Sequence, residues 1–305
     1  QNKRFRHNVF YGIISIITIK HNGDFGGLWD GGPKDWYWLD WLSGKPFTTL
    51  FVDGNHENFD LLNALPEKEW HGGRVHEVRE NILHLMRGQV FTFGGLTWFT
   101  MGGASSHDIR DGILDPKEPD FEQRYWLLRR MRAMFRVKGV SWWAEEMPNS
   151  QEYADALSSL DRMNWKVDCI LTHCGPSSIV RKIDPSYGSD QLTNFLDMVN
   201  QRCQFIYWFF GHYHDNRIID DRYILQWEQI SGLGFKINSG WYMTIAVGFE
   251  WRLPDSKWTE NLLCGTITLH KQKDYTEKGS EPGMKERTYI CCDLKSFYAS
   301  VECVE

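Results

Sequence analysis

Five side chains stand at positions from which they could hold a metal ion: Asp24, Asn55, His173, His212 and His214. One carboxylate, one amide and three imidazoles are donors that divalent borderline metals accept, and no thiolate is among them. The chemistry such a set implies is hydrolysis. Two ions roughly 3.5 to 4 Å apart can share a water, lower its pKa and stabilise both oxygens of a phosphoryl displacement. A bridging carboxylate is then required, and Asp24, with Gly23 before it and Gly26 shortly after, is the candidate at a strand end. Taken one at a time these residues have plainer readings. An Asp after a Gly is commonly a turn residue. Gly54-Asn55-His56-Glu57 also reads as a turn, His173 as a core or capping histidine, and Gly211-His212-Tyr213-His214 as a solvated loop.

The elements that must position these residues are legible around them. Ile13 to Ile19 is β-branched and apolar, a buried strand that delivers Asp24. Trp36, Leu39 and Leu42 have helical spacing, and Phe47 to Val52 is a second strand, delivering Asp53 to Glu57. Val90 to Phe93 and Leu96 to Met101, joined by Gly94-Gly95, form a hairpin. Phe121 to Phe135 reads as an amphipathic helix through Tyr125, Leu128, Met131 and Phe135, with Arg129, Arg130 and Arg132 on a solvated face. Ser150 is expected to cap a helix running to about Arg162. Val167 to Leu171 is a strand ending at His173; a helix spans Ser189 to Val199; Phe205 to Phe210 is a strand ending at His212. Alternation of this kind predicts an α/β sandwich with the site at strand carboxyl ends.

In their order the motifs resemble the calcineurin-like metallophosphoesterase superfamily, whose blocks run Asp-x-His, Gly-Asp, Gly-Asn-His-Asp/Glu, a lone His, and Gly-His-x-His. Thr48 to Phe59 (TTLFVDGNHENF), Ile170 to Pro176 (ILTHCGP) and Phe209 to Arg217 (FFGHYHDNR) carry the resemblance, over about residues 24 to 230. It implies two mixed β-sheets flanked by helices and a dinuclear centre of manganese, iron or zinc. Asp24 would bridge, Asn55, His173 and His212 would complete one site, and His214 would belong to the other. His56 would be the catalytic histidine beside the phosphate, with Asn55 also touching substrate. The implied function is hydrolysis of a phosphomonoester or phosphodiester by a metal-activated water. The Gly102 to Asp108 segment would shape the pocket or be a plain Gly/Ser loop.

Two departures qualify this. The Asp-x-His block is absent, since no Asp precedes Asp24. Residues 1–23 are therefore expected to be an incomplete first-strand region, one metal site to lack two ligands, and one ion alone to be retained. The alternative is an inactive remnant or a metal- or phosphate-binding module. At the other end, Tyr289 to Glu302 resembles the opening of Y-family DNA polymerases, with Asp293 as a metal ligand and Tyr298 as the residue that screens the sugar. A fragment of 284–305 cannot build a palm domain, so polymerase activity is not expected. Residues 231–283 read as an unassigned segment and linker, expected to be read-through into a neighbouring reading frame starting at Met284.

Composition bounds the rest. The chain has 305 residues, 42% hydrophobic, with 34 basic against 40 acidic side chains and a net charge of −6. A strongly basic nucleic-acid surface is not indicated, so the expected partner is a phosphorylated substrate. The apolar run near the start is much shorter than the roughly 20 residues that span a bilayer, so no membrane segment is expected. Seven scattered cysteines point to a reducing compartment, read as cytoplasmic.

Overall fold

The computed structural model describes residues 25–44 and 48–227 in full, together with the backbone of strands 14–17, 231–238, 241–247, 268–271 and 289–290. Strand β1 (Ile14–Ile17) is followed by helix α1 (Pro33–Ser43), β2 (Thr48–Phe51), the short α2 (Phe59–Leu62), β3 (Glu67–Trp70), β4 (Gly73–Arg79) and β5 (Ile82–Leu85). These five strands make one mixed sheet in the order β1-β2-β5-β4-β3. The first three are mutually parallel, and β4 and β3 turn back antiparallel.

The chain continues through β6 (Gln89–Phe93) and β7 (Leu96–Met101), a hairpin whose turn needs positive φ at both Gly94 (59°) and Gly95 (74°). An excursion follows: β8 (Ile113–Leu114), α3 (Phe121–Met131) and β9 (Arg136–Val137), with β8 and β9 paired in parallel. Then come α4 (Ser150–Arg162), β10 (Cys169–Thr172), α5 (Ser177–Ile183), α6 (Gln191–Arg202), β11 (Tyr207–Phe210), β12 (Arg217–Ile219) and β13 (Tyr223–Leu225). The second mixed sheet has the order β12-β13-β11-β10-β7-β6.

The two sheets pack face to face. Leu50, Val75, Leu83 and Leu85 of the first meet Phe91, Trp98, Cys169, Leu171 and Phe209 of the second in one buried cluster. Alternate residues on the same strands face outward under helices: Phe51 and Ile82 lie beneath Leu39 and Leu42 of α1, and Ile170, Trp208 and Phe210 beneath Leu160, Leu192 and Leu196 of α4 and α6. Strands buried on both faces read as continuous apolar runs, which is why β2, β10 and β11 were visible in the sequence. Fully burying each such side chain is worth about 1.5–3 kcal/mol. The architecture is the expected α/β sandwich, with helices on both outer faces.

Several boundaries differ from the expectation. The helix expected to reach Phe135 stops at Met131, because Arg132 takes a left-handed conformation (φ 52°). None of its residues is buried, so its apolar stripe covers no core. Asn149, not Ser150, caps α4, in a reciprocal box with Glu152. The helix expected from Ser189 begins at Gln191, capped by Asp190, and runs on to Arg202. Strands β3 to β5 escaped notice because β3 is polar and β4 carries a bulge between Glu77 and Arg79 that breaks its alternation. Beyond Trp227 the backbone forms β14 (Ser231–Asn238), β15 (Trp241–Val247), β16 (Thr268–Lys271) and β17 (Tyr289–Ile290), one four-stranded sheet. The rest of the polymerase-like stretch, Asp293 and Tyr298 included, lies outside the described residues. Among the described residues no helix is long and apolar enough to cross a membrane.

Candidate metal centre

The carboxyl end of β2 is held by a buried ion cluster. Asp53, 1% exposed, accepts from Arg87 Nε at 2.8 Å and from His84 Nε2 at 3.0 Å. Burial works against its charge, but Arg87 and His84 hold the carboxyl well below the usual carboxylate range. The Asp53 carbonyl accepts from Gly103 N at 2.9 Å, which ties the end of β2 to the end of β7 across the two sheets. A Cβ at Gly102 would stand 2.1 Å from Asp53 Oδ1, so this approach requires glycine.

Asn55 follows on that anchored base. Its Nδ2 donates to Ser106 Oγ at 3.2 Å, and Ser106 Oγ donates to Glu146 Oε2 at 2.6 Å. A hydroxyl has one hydrogen, and Glu146 takes it, so Ser106 must accept from the amide and thereby sets which way Asn55 faces. Ser106 N adds a second bond to Glu146, at 2.9 Å. Burial holds the Glu146 carboxyl above its ordinary range despite these bonds. Asn55 Oδ1 is left buried, with no hydrogen-bond partner among the described residues. Such an oxygen costs about 1–3 kcal/mol unless something fills it, and an ion is one group that would.

Glu57 turns the other way. Its carboxyl oxygens accept from Phe25 N at 2.9 Å and Gly26 N at 3.3 Å, and so fasten the backbone of Phe25 and Gly26 to the end of β2. Burial, then the charge on Asp53, pushes the Glu57 carboxyl up to about 8. Asp24 itself lies outside the described residues.

The second sheet brings two imidazoles to the same end. Gly211 N donates to His173 O at 2.8 Å, and the His173 and His212 rings lie 5.1 Å apart at 67°. His107, next to Ser106, stands 5.4 Å from His212, which links the histidine pair to Asn55 through one loop. His212 (φ 72°) and His214 (φ 48°) both adopt left-handed backbone, a strain of about 1–3 kcal/mol each. The His214 ring stacks on Trp227 at 5.9 Å and 20°. Among the described residues no three His, Cys, Asp or Glu side chains converge on one metal position. The amide oxygen of Asn55 and the imidazoles of His173 and His212 fit a borderline divalent ion by donor type.

His56 meets an ion pair the sequence did not reveal. Arg136, 7% exposed, binds both oxygens of Asp108 at 2.7 and 2.6 Å, and its Nη2 lies 3.0 and 2.8 Å from the two ring nitrogens of His56. Burial opposes the charge on Asp108, yet the bond to Arg136 and the nearby His56 and His107 lower its pKa. Arg136, Glu146, Arg87 and His84 were missed as site-building residues, and Asp108 was named only within the Gly102 to Asp108 segment, since their partners lie between 28 and 80 positions away and no local spacing marks them.

No family model matches the chain. A search among curated proteins finds similarity to the lariat debranching enzyme of Schizosaccharomyces pombe (strain 972 / ATCC 24843), 25% identical over 170 residues. The matched region is 56% of this chain and 28% of the debranching enzyme.

Proposed function

We propose that the chain is a metal-dependent phosphoesterase, acting on a phosphomonoester or phosphodiester at the strand ends around Asn55, His173 and His212. The observation that carries this reading is Asn55 Oδ1, buried without a hydrogen-bond partner among the described residues while Ser106 and Glu146 fix the amide. The similarity to a lariat debranching enzyme supports the phosphoester class, and a lariat is one phosphodiester substrate to assay.

Asp24, Asn55, His173 and His212 would hold an ion there, with His214 as a ligand of a second. A divalent ion supplies Lewis acidity and lowers the pKa of water. The chain's own residues would do the rest. His56 would hydrogen-bond a phosphate or protonate a leaving oxygen. Arg136, neutralised by Asp108, steadies the ring of His56. Glu57 ties the backbone of Phe25 and Gly26 to the loop that carries Asn55.

The test is turnover of p-nitrophenyl phosphate and its bis ester by the purified chain with manganese, iron or zinc. Asn55→Ala and His212→Ala should each abolish it. Tight binding of one ion per chain with no turnover under any metal would replace this reading with a metal-binding module.

A further inference from the structure

Three consecutive side chains of the loop after β7 reach three different groups of the candidate centre. Ser106 accepts from the Asn55 amide at 3.2 Å. Asp108 pairs with Arg136, whose Nη2 lies 2.8 Å from His56 Nε2. Between them stands His107, its ring edge-on to that of His212 at 5.4 Å and 75°. The backbone that leads to it is pinned on two sides. Gly103 N donates to Asp53 O at 2.9 Å, Ala104 N to Glu146 O at 3.1 Å, and Ser106 N to the Glu146 carboxyl at 2.9 Å.

His107 differs from both neighbours. Ser106 is buried and Asp108 is paired, whereas the His107 side chain is exposed and its ring makes no hydrogen bond or ion pair among the described residues. Hydration alone accounts for an exposed histidine on a loop free to move. It does not account for one that a pinned loop holds against His212, one residue from the support of His56. Nor is His107 one more ligand of the same ion, since among the described residues no three His, Cys, Asp or Glu side chains converge on one metal position. A neutral imidazole carries one N–H and an imidazolium two, so His107 can donate in either state.

We propose that His107 contacts the substrate, its N–H donating to a non-bridging oxygen of the phosphoryl group, while His56 serves the leaving oxygen. Charge on those oxygens in the transition state is stabilised by a donor already in place, with no reorganisation at the moment of reaction. The inference rests on the phosphoesterase reading of the site and adds to it a second imidazole that touches substrate.

Two measurements on the manganese-loaded full chain test it: calorimetric titration with inorganic phosphate, and hydrolysis of p-nitrophenyl phosphate and its bis ester. His107→Ala should weaken phosphate binding and raise KM by about tenfold, the worth of a hydrogen bond to a charged group. Manganese affinity and the urea unfolding midpoint should stay as they are, because the side chain is exposed and holds nothing in the fold. His107→Gln keeps an N–H donor and should bring phosphate affinity back to within about threefold of the wild type. Equal phosphate affinity in the wild type and His107→Ala overturns the proposal, and continued turnover in both then leaves the phosphoesterase reading standing. A wild-type chain that binds no phosphate overturns it as well, as does loss of manganese binding in His107→Ala, which would make His107 a metal ligand. Phosphate binding that depends on His107 in a chain without turnover supports the contact while the phosphoesterase reading fails.

Discussion

From Val52 to Glu57 every residue except His56 is buried, whereas from Phe121 to Met131 none is. Both stretches contribute to the same end of the sandwich, one by carrying Asn55, the other by leading into Arg136. In the first, Asp53, Glu57 and the Asn55 amide nitrogen are each committed to a partner, and Asn55 Oδ1 alone is left for a ligand. In the second, Trp126 is 60% and Met131 65% exposed, and α3 is tethered mainly by the strands at its two ends. Local sequence pattern was the same kind of signal in both, yet only the first is a packed element. What separates them is the polar network that the core encloses.

Breaking the anchor should have the largest effect. Asp53→Ala leaves Arg87 as a buried cation held by Glu152 and the Glu145 carbonyl, and should cost about 3–5 kcal/mol in urea unfolding. A loss below about 1 kcal/mol would show that Asp53 and Arg87 are solvated and that the contrast is overdrawn.

The next effect is a pH dependence. His76 has a folded-state value of about 4, below its ordinary 6.5, so the folded chain favours the neutral ring. Its stabilising contribution is complete above pH 6.5 and is lost as pH falls through that value towards 4, by at most about 3 kcal/mol. Thermal unfolding between pH 7 and 4 should show this slope, and His76→Leu should flatten it.

Glu146→Gln acts on the site more than on the fold. It replaces one acceptor oxygen with a donor, so Ser106 no longer has two acceptors to donate to, and Asn55 loses its fixed orientation. Manganese affinity should drop about 10- to 100-fold, the usual cost of an outer partner of a ligand, with stability changed by about 1–2 kcal/mol. Equal manganese binding by both proteins would remove Asn55 from the ligand set.

On α3 the changes should be smallest. Trp126→Ala and Leu127→Ser should each shift stability by less than about 0.5 kcal/mol, as exposed positions do. A larger loss in chemical denaturation would mean that the lobe is packed in solution, and the comparison would fail.

Residue pattern alone determined the sandwich class, the strands β2, β10 and β11, the hairpin at Gly94-Gly95, and the order of the motif blocks, because apolar runs and turn glycines are local signals. The same pattern pointed to the segment containing Ser106 without saying what it holds. It could not show that Asn55 is oriented through Ser106 by Glu146, that Arg136 reaches His56 across 80 positions, or that His214 stacks on Trp227. Those arrangements exist only once two sheets are pressed together. Hydrogen-bond partners are then chosen by which groups burial brings within reach and cannot leave unpaired, a choice with no periodicity along the chain.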